Sequence, residues 1–180
     1  MLSVKDLRQL SGSMKPEAFR KQLGPFVLIQ KPEGNVTGET DKMGLPMNAA
    51  STRMVKPEKA QAAALALVFQ FEDLEVVTLP PLQGIDELTV GRQANCDLVL
   101  EDPSVSKMHA ALKWDAANKR CSVVDTGSTN GTFLNASIRV RKETILRDGD
   151  IISFGEVQYW YLLTETLHAR LKQQSSHRSV

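Results

Sequence analysis

From about Pro81 to Leu163 the chain alternates between short β-branched or aromatic runs and plain turn signals. The runs are Glu87–Val90, Asp97–Leu100, Ala110–Trp114, Cys121–Val124, Thr132–Leu134, Ser137–Val140, Ile151–Phe154 and Gln158–Leu163. Between them stand Asp102-Pro103, Ala117-Asn118, Asn130-Gly131 and Asp148-Gly149, dipeptides that suit tight reversals. Many short strands at close spacing predict an all-β sandwich or barrel.

The rest of the chain has a different texture. Val4, Leu7 and Leu10, then Ala18, Phe19 and Leu23, have helical spacing. Pro16 suits the first turn of the second helix, and Gly24-Pro25 stops it. The apolar segment GPFVLIQKP follows and reads as either a lone strand or an exposed docking segment. Residues 32–57 hold Pro and Gly without sustained periodicity, which is linker composition. From Pro57 a helix-prone stretch, PEKAQAAALAL, runs into the β-rich VFQFEDLEVVTL, with the boundary placed near Leu67. In the tail, Leu163, Leu167 and Leu171 fall at i, i+4 and i+8, so a final helix is expected to lay one apolar stripe on the sandwich.

Composition narrows the function. The 180 residues are 42% hydrophobic and 24% charged, with a net charge of +1, which gives no reason to expect a nucleic-acid or membrane-surface binder. Two cysteines, Cys96 and Cys121, fit free thiols in a reducing compartment better than a disulfide scaffold. The start, MLSVKDLRQL, has no signal-peptide core, and the longest apolar run, Ala62–Phe69, is far short of a membrane span. A cytoplasmic protein is expected.

Candidate chemistry gathers at strand ends. The clusters are Gly91-Arg92; Ser106-Lys107-Met108-His109; Asp125 with Ser128-Thr129-Asn130-Gly131-Thr132; and Asp148-Gly149-Asp150 with Phe154-Gly155. The stretch DTGSTNGTFLN (125–135) is longer and richer in hydroxyls than a hairpin turn requires. An arginine, a lysine, hydroxyls and an amide on converging loops are donors for a small anion. Ser106, His109 and Asp125 invite a hydrolase reading, but no G-x-S-x-G elbow surrounds the serine. The Gly127–Gly131 loop is not a P-loop, and the histidines and cysteines lack zinc spacing, so no catalytic residue, cofactor or metal site is expected.

Four strings carry a resemblance: LTVGR (88–92), DLVLEDPSVSKMHAAL (97–112), VVDTGSTNGTFLN (123–135) and LRDGDIISFG (146–155). In order, spacing and identity they resemble a forkhead-associated (FHA) domain, over about Leu79 to Leu163. The resemblance implies an eleven-stranded β-sandwich that binds phosphothreonine peptides through loops at one end. It implies that Arg92, Ser106, Lys107, Thr129 and Asn130 bind the phosphothreonine peptide, and that Gly91, His109, Asp125 and Gly131 shape the loops. Where the family often has glycine after Asn135, this chain has Ala136, which touches only turn geometry. Ser104 occupies a position where some members carry a larger residue that reads the peptide.

The chain is therefore divided into an N-terminal extension of short helices and flexible linker (1–56), a helix/strand lead-in (57–78), an FHA domain (79–165), and a C-terminal helix and tail (166–180). The expected function is that of a non-enzymatic phosphothreonine-binding adaptor downstream of a Ser/Thr kinase. Its partner would be a phosphothreonine-containing protein, the kinase or its substrate, with no nucleic acid and no membrane insertion. The alternative is an FHA-fold scaffold for an unphosphorylated partner. Thr37, Thr40 and Thr52 are candidate regulatory phosphorylation sites that would dock into the chain's own domain or a neighbouring copy.

Overall fold

The computed structural model describes residues 2–31, 74–77, 79, 82 and 85–177. The helix expected from Pro57, the linker, and Thr37, Thr40 and Thr52 lie outside the described residues. In chain order the elements are β1 (Leu2–Ser3), α1 (Val4–Ser13), α2 (Pro16–Leu23), β2 (Phe26–Gln30), β3 (Glu75–Val77), β4 (Ile85–Gly91), β5 (Leu98–Val99), β6 (Ala110–Asp115) and β7 (Arg120–Asp125). They continue as β8 (Thr132–Leu134), β9 (Ile138–Arg139), β10 (Thr144–Leu146), β11 (Ile151–Phe154), β12 (Val157–Leu163) and α3 (Thr164–His177). The strands form a seven-stranded sheet, β1-β3-β2-β12-β11-β8-β9, and a five-stranded sheet, β10-β7-β6-β4-β5.

The sandwich follows from the alternation. Leu88, Val90, Leu112, Trp114, Cys121 and Val123 from the smaller sheet meet Leu134, Ile152, Phe154, Tyr159 and Tyr161 from the larger one in a single core. The Phe26 ring lies 5.8 Å from Trp114 and 5.0 Å from Tyr161, so it bridges the two sheets.

The front of the chain belongs to this sandwich. Nine of the twelve strands among the described residues fall within 79–163; β1, β2 and β3 precede it. β2 lies between β3 and β12, pairing Phe26 with Leu163 and Gln30 with Tyr159. GPFVLIQKP is thus neither a lone strand nor an exposed docking segment: Phe26, Val27, Leu28 and Ile29 are all buried. The run is continuously apolar because both of its faces are covered. Phe26 and Leu28 face the core between the sheets, while Val27 and Ile29 face a second core with Val4, Leu7, Phe19, Leu23, Trp160, Leu162, Leu167 and Leu171.

That second core is roofed by α1, α2 and α3. Ser3 caps α1, its Oγ accepting from the Asp6 amide at 3.2 Å while Asp6 accepts from the Ser3 amide at 2.9 Å. Pro16 opens α2 and Gly24, at φ +87°, ends it. The Thr164 hydroxyl at the head of α3 donates to the Gly24 carbonyl at 2.6 Å, locking the last helix onto the end of α2. The expected apolar stripe on α3 is present at Leu167 and Leu171, whereas Leu163 is the last residue of β12.

Two outcomes follow. Ile29→Ala should destabilise the protein by about 2–5 kcal/mol in urea unfolding, the cost of a cavity in a closed core; a loss of a few tenths would mean that β2 is peripheral. In the β8–β9 turn, Asn135 (φ +48°) and Ala136 (φ +68°) both adopt left-handed backbone. Ala136→Gly should relieve roughly 1 kcal/mol of that strain, read as a raised urea midpoint with unchanged slope.

Candidate functional site

Four connections converge at one end of the sandwich: Arg92–Asp97, Leu100–His109, Thr126–Gly131 and Gly155–Glu156. The buried side chain of His109 joins the second and third of them. Its Nδ1 accepts from the Ser106 amide at 3.0 Å, so its Nε2 carries the proton and donates to the Gly131 carbonyl at 3.1 Å. Its backbone amide donates to the Val90 carbonyl at 2.8 Å, and its carbonyl accepts from the Thr126 amide at 3.1 Å. The Gly155 amide donates to the same Gly131 carbonyl at 3.1 Å, which brings in the fourth connection.

Two further devices set the loops. The Arg92 and Gln93 amides donate to the Ser106 and Lys107 carbonyls at 3.0 and 3.1 Å. This approach requires glycine at position 91, because a Cβ there would lie 2.2 Å from the Lys107 carbonyl oxygen. In the Thr126–Gly131 loop, Asp125 accepts from the Gly127 and Ser128 amides, both at 2.9 Å, and from the Ser128 and Thr132 hydroxyls at 2.6 and 2.7 Å. Burial alone would raise its carboxyl, but these hydrogen bonds overcome that and hold it at about 2.

Above this frame lies an open cleft of about 600 Å³, lined by Arg92, Ser104, Ser106, Lys107, Thr129 and Asn130 among others, with no carboxylate in its lining among the described residues. Arg92 Nε donates to the Val105 carbonyl at 3.3 Å, and among the described residues its terminal nitrogens have no acceptor. Ser106 Oγ accepts from the Thr129 amide at 3.0 Å and donates to the Thr129 hydroxyl only at 3.4 Å, a long bond that a stronger acceptor in the cleft can replace. Asn130 Nδ2 donates to the Ser104 carbonyl at 2.7 Å and keeps a second N–H and its carbonyl oxygen for a ligand. A guanidinium, an ammonium, two hydroxyls and an amide in one cleft suit a compact anion with several acceptor oxygens.

All five residues expected to face a ligand line this cleft. The four expected to shape the loops lie beneath or beside it. Asp148-Gly149-Asp150 is not part of it: Asp148 accepts from the Leu163 amide at 2.8 Å and the Thr166 hydroxyl at 2.7 Å, at the opposite end of β12. Sequence reasoning missed the Val105 carbonyl that steers Arg92, and the anchoring of Ser104. Asp102 accepts from the Ser104 amide at 2.8 Å, and Ser104 Oγ accepts from the Glu156 amide at 3.0 Å. The Asp102-Pro103-Ser104 spacing, that of an Asx turn, was the available signal for the first of these.

Residues 88–155 match the family model of the FHA domain. Over 73 residues the chain is 38% identical to the DNA damage response protein kinase DUN1 of Saccharomyces cerevisiae, covering 38% of this chain and 14% of that kinase. Over 74 residues it is 35% identical to the oxoglutarate dehydrogenase inhibitor of Corynebacterium efficiens, covering 41% of this chain and 49% of that protein. The chain thus spans less than half the length of either relative. Among solved structures, the FHA domain of the CT664 protein from Chlamydia trachomatis is similar at a TM-score of 0.49 and 16% identity, covering 77% of this chain and 97% of that one.

The His109 bridge has a pH signature. Burial holds the imidazole below its ordinary 6.5, with the Gly131 hydrogen bond and the Asp125 charge pulling partway back. The unfolded chain therefore binds this proton more readily. The stability it carries is complete above about pH 6.5 and is lost as pH falls through the lower folded value. Asp125 stays ionised through this interval. The melting temperature without ligand should fall from about pH 7.5 to about pH 5, and His109→Gln should flatten that slope.

Proposed function

We propose that this chain, whose residues 88–155 match the family model of the FHA domain, uses them as a non-catalytic module that reads phosphothreonine in a partner protein and couples a Ser/Thr kinase to an effector. The reading rests on one observation: a cleft whose described lining holds no carboxylate and brings together Arg92, Ser106, Lys107, Thr129 and Asn130 as donors that are free or only weakly engaged. A phosphomonoester brings about −1.5 to −2 charges and three acceptor oxygens, and so matches that donor set.

Each side chain then has a role. The free end of the Arg92 guanidinium and the Lys107 ammonium take the charge of the phosphate. The Ser106 hydroxyl donates to a phosphate oxygen, held in place by the Thr129 amide behind it. Thr129 stands beside the threonine methyl, and Asn130 holds the peptide main chain with the amide atoms that Ser104 leaves free. Neutral donors complete the shell at a smaller desolvation cost than further cations would impose. An unphosphorylated partner would leave Arg92 and Lys107 facing no counter-charge. Cys96 and Cys121 are both free and buried, which favours a reducing compartment such as the cytoplasm.

A phosphothreonine peptide library, titrated by fluorescence polarisation beside its unphosphorylated and phosphoserine counterparts, tests the proposal. Charge-assisted hydrogen bonds contribute roughly 1.5–3 kcal/mol each, so Arg92→Ala or Ser106→Ala should weaken binding at least about tenfold. The methyl contact should favour phosphothreonine over phosphoserine by about 1 kcal/mol or more. Equal affinity for phosphorylated and unphosphorylated peptides would refute the reading.

A further inference from the structure

Next to the cleft, on the other side of Glu101–Ser104, lies a second cavity of about 440 Å³. The two share a wall: Pro103 and Ser104 line the cleft, and Leu100, Glu101 and Asp102 line the second cavity. Its charged lining is wholly acidic, made of Glu75 from β3 with Glu101 and Asp102, and among the described residues none of the three has a cationic partner. Glu156, whose amide holds Ser104, is exposed beside the same wall. At the back sits Tyr159, 4% exposed, whose hydroxyl has no hydrogen-bond partner among the described residues. Burial, with the charges of Glu75 and Asp102, pushes that hydroxyl up to about 12, so it stays a neutral phenol. Val77, Val99 and Val157 supply apolar sides.

We propose that this cavity is a second subsite that takes a lysine or arginine side chain from the same phosphorylated segment. The inference rests on the phosphothreonine reading of the cleft. The apolar sides suit the methylene stem of such a residue, while the carboxylates and the phenol oxygen receive its cationic head. A peptide in extended form rises about 3.3 Å per residue, so a basic residue roughly two to four positions from the phosphothreonine spans the shared wall. The two sites then recognise opposite charges side by side, and an acidic residue at the same position is repelled.

The test uses phosphothreonine peptides with alanine at all flanking positions, and variants placing arginine or glutamate at each in turn. Fluorescence polarisation is measured at low ionic strength. At one position within about four residues of the phosphothreonine, arginine should bind at least roughly fivefold more tightly than glutamate. In the Glu75→Gln/Glu101→Gln double variant that ratio should fall to about twofold or less. If the all-alanine phosphopeptide binds but arginine and glutamate bind alike at every position, the acidic subsite is refuted and the phosphothreonine reading stands. A ratio that survives in the double variant also refutes it. If the all-alanine phosphopeptide binds no better than its unphosphorylated form, both readings fall together.

Discussion

A neutral imidazole accepts one hydrogen bond and donates another, and His109 spends both inside the sandwich, on the Ser106 amide and the Gly131 carbonyl. Those two groups belong to the loops that carry the cleft's opposing walls. With its backbone also tied to Val90 and Thr126, this one buried residue sets the distance between Ser106 and Thr129 across the cleft. At the cleft surface the Thr129 amide on Ser106 and the Asn130 amide on the Ser104 carbonyl tie the same two loops a second time. The side chains that line the cleft are few and mostly neutral, and the frame beneath them lies in a region of low dielectric where a hydrogen bond is both strong and costly to lose.

The charge distribution follows the same economy. Arg92 and Lys107 are the cations lining the cleft, and the remaining donors are hydroxyl and amide groups. The acidic residues nearby are either spent on loop geometry, as with Asp125 and its four hydrogen bonds, or set behind the Glu101–Ser104 wall. A near-neutral chain can therefore offer a strongly directional anion site without the broad basic patch that would attract nucleic acid indiscriminately.

The cleft was legible in the sequence because its residues sit in short motifs with fixed offsets. Arg92 follows a glycine at a strand end, Ser106 and His109 stand three apart, and Thr129-Asn130-Gly131 closes a hydroxyl-rich loop. The outer layer was harder to read. Phe26–Ile29 is apolar at every position, and a run of that kind carries no periodicity to show that alternate residues enter different cores. Its place between β3 and β12 depends on partners far away in the chain. The position of Asp148-Gly149-Asp150 at the far end was hidden for a related reason: a turn sequence reports that the chain reverses, not at which end of the sandwich it does so.

The convergence of the Gly155 amide and the His109 ring on one carbonyl, that of Gly131, has a kinetic consequence. A cleft whose walls are tied together before any ligand arrives has no closing step to wait for. In the phosphothreonine reading proposed above, encounter is then set by diffusion and by the pull of Arg92 and Lys107 on an approaching anion, and it varies little from one ligand to the next. Discrimination falls to residence time: ligands that satisfy the fixed donors stay, and those that do not depart before the frame can adjust to them.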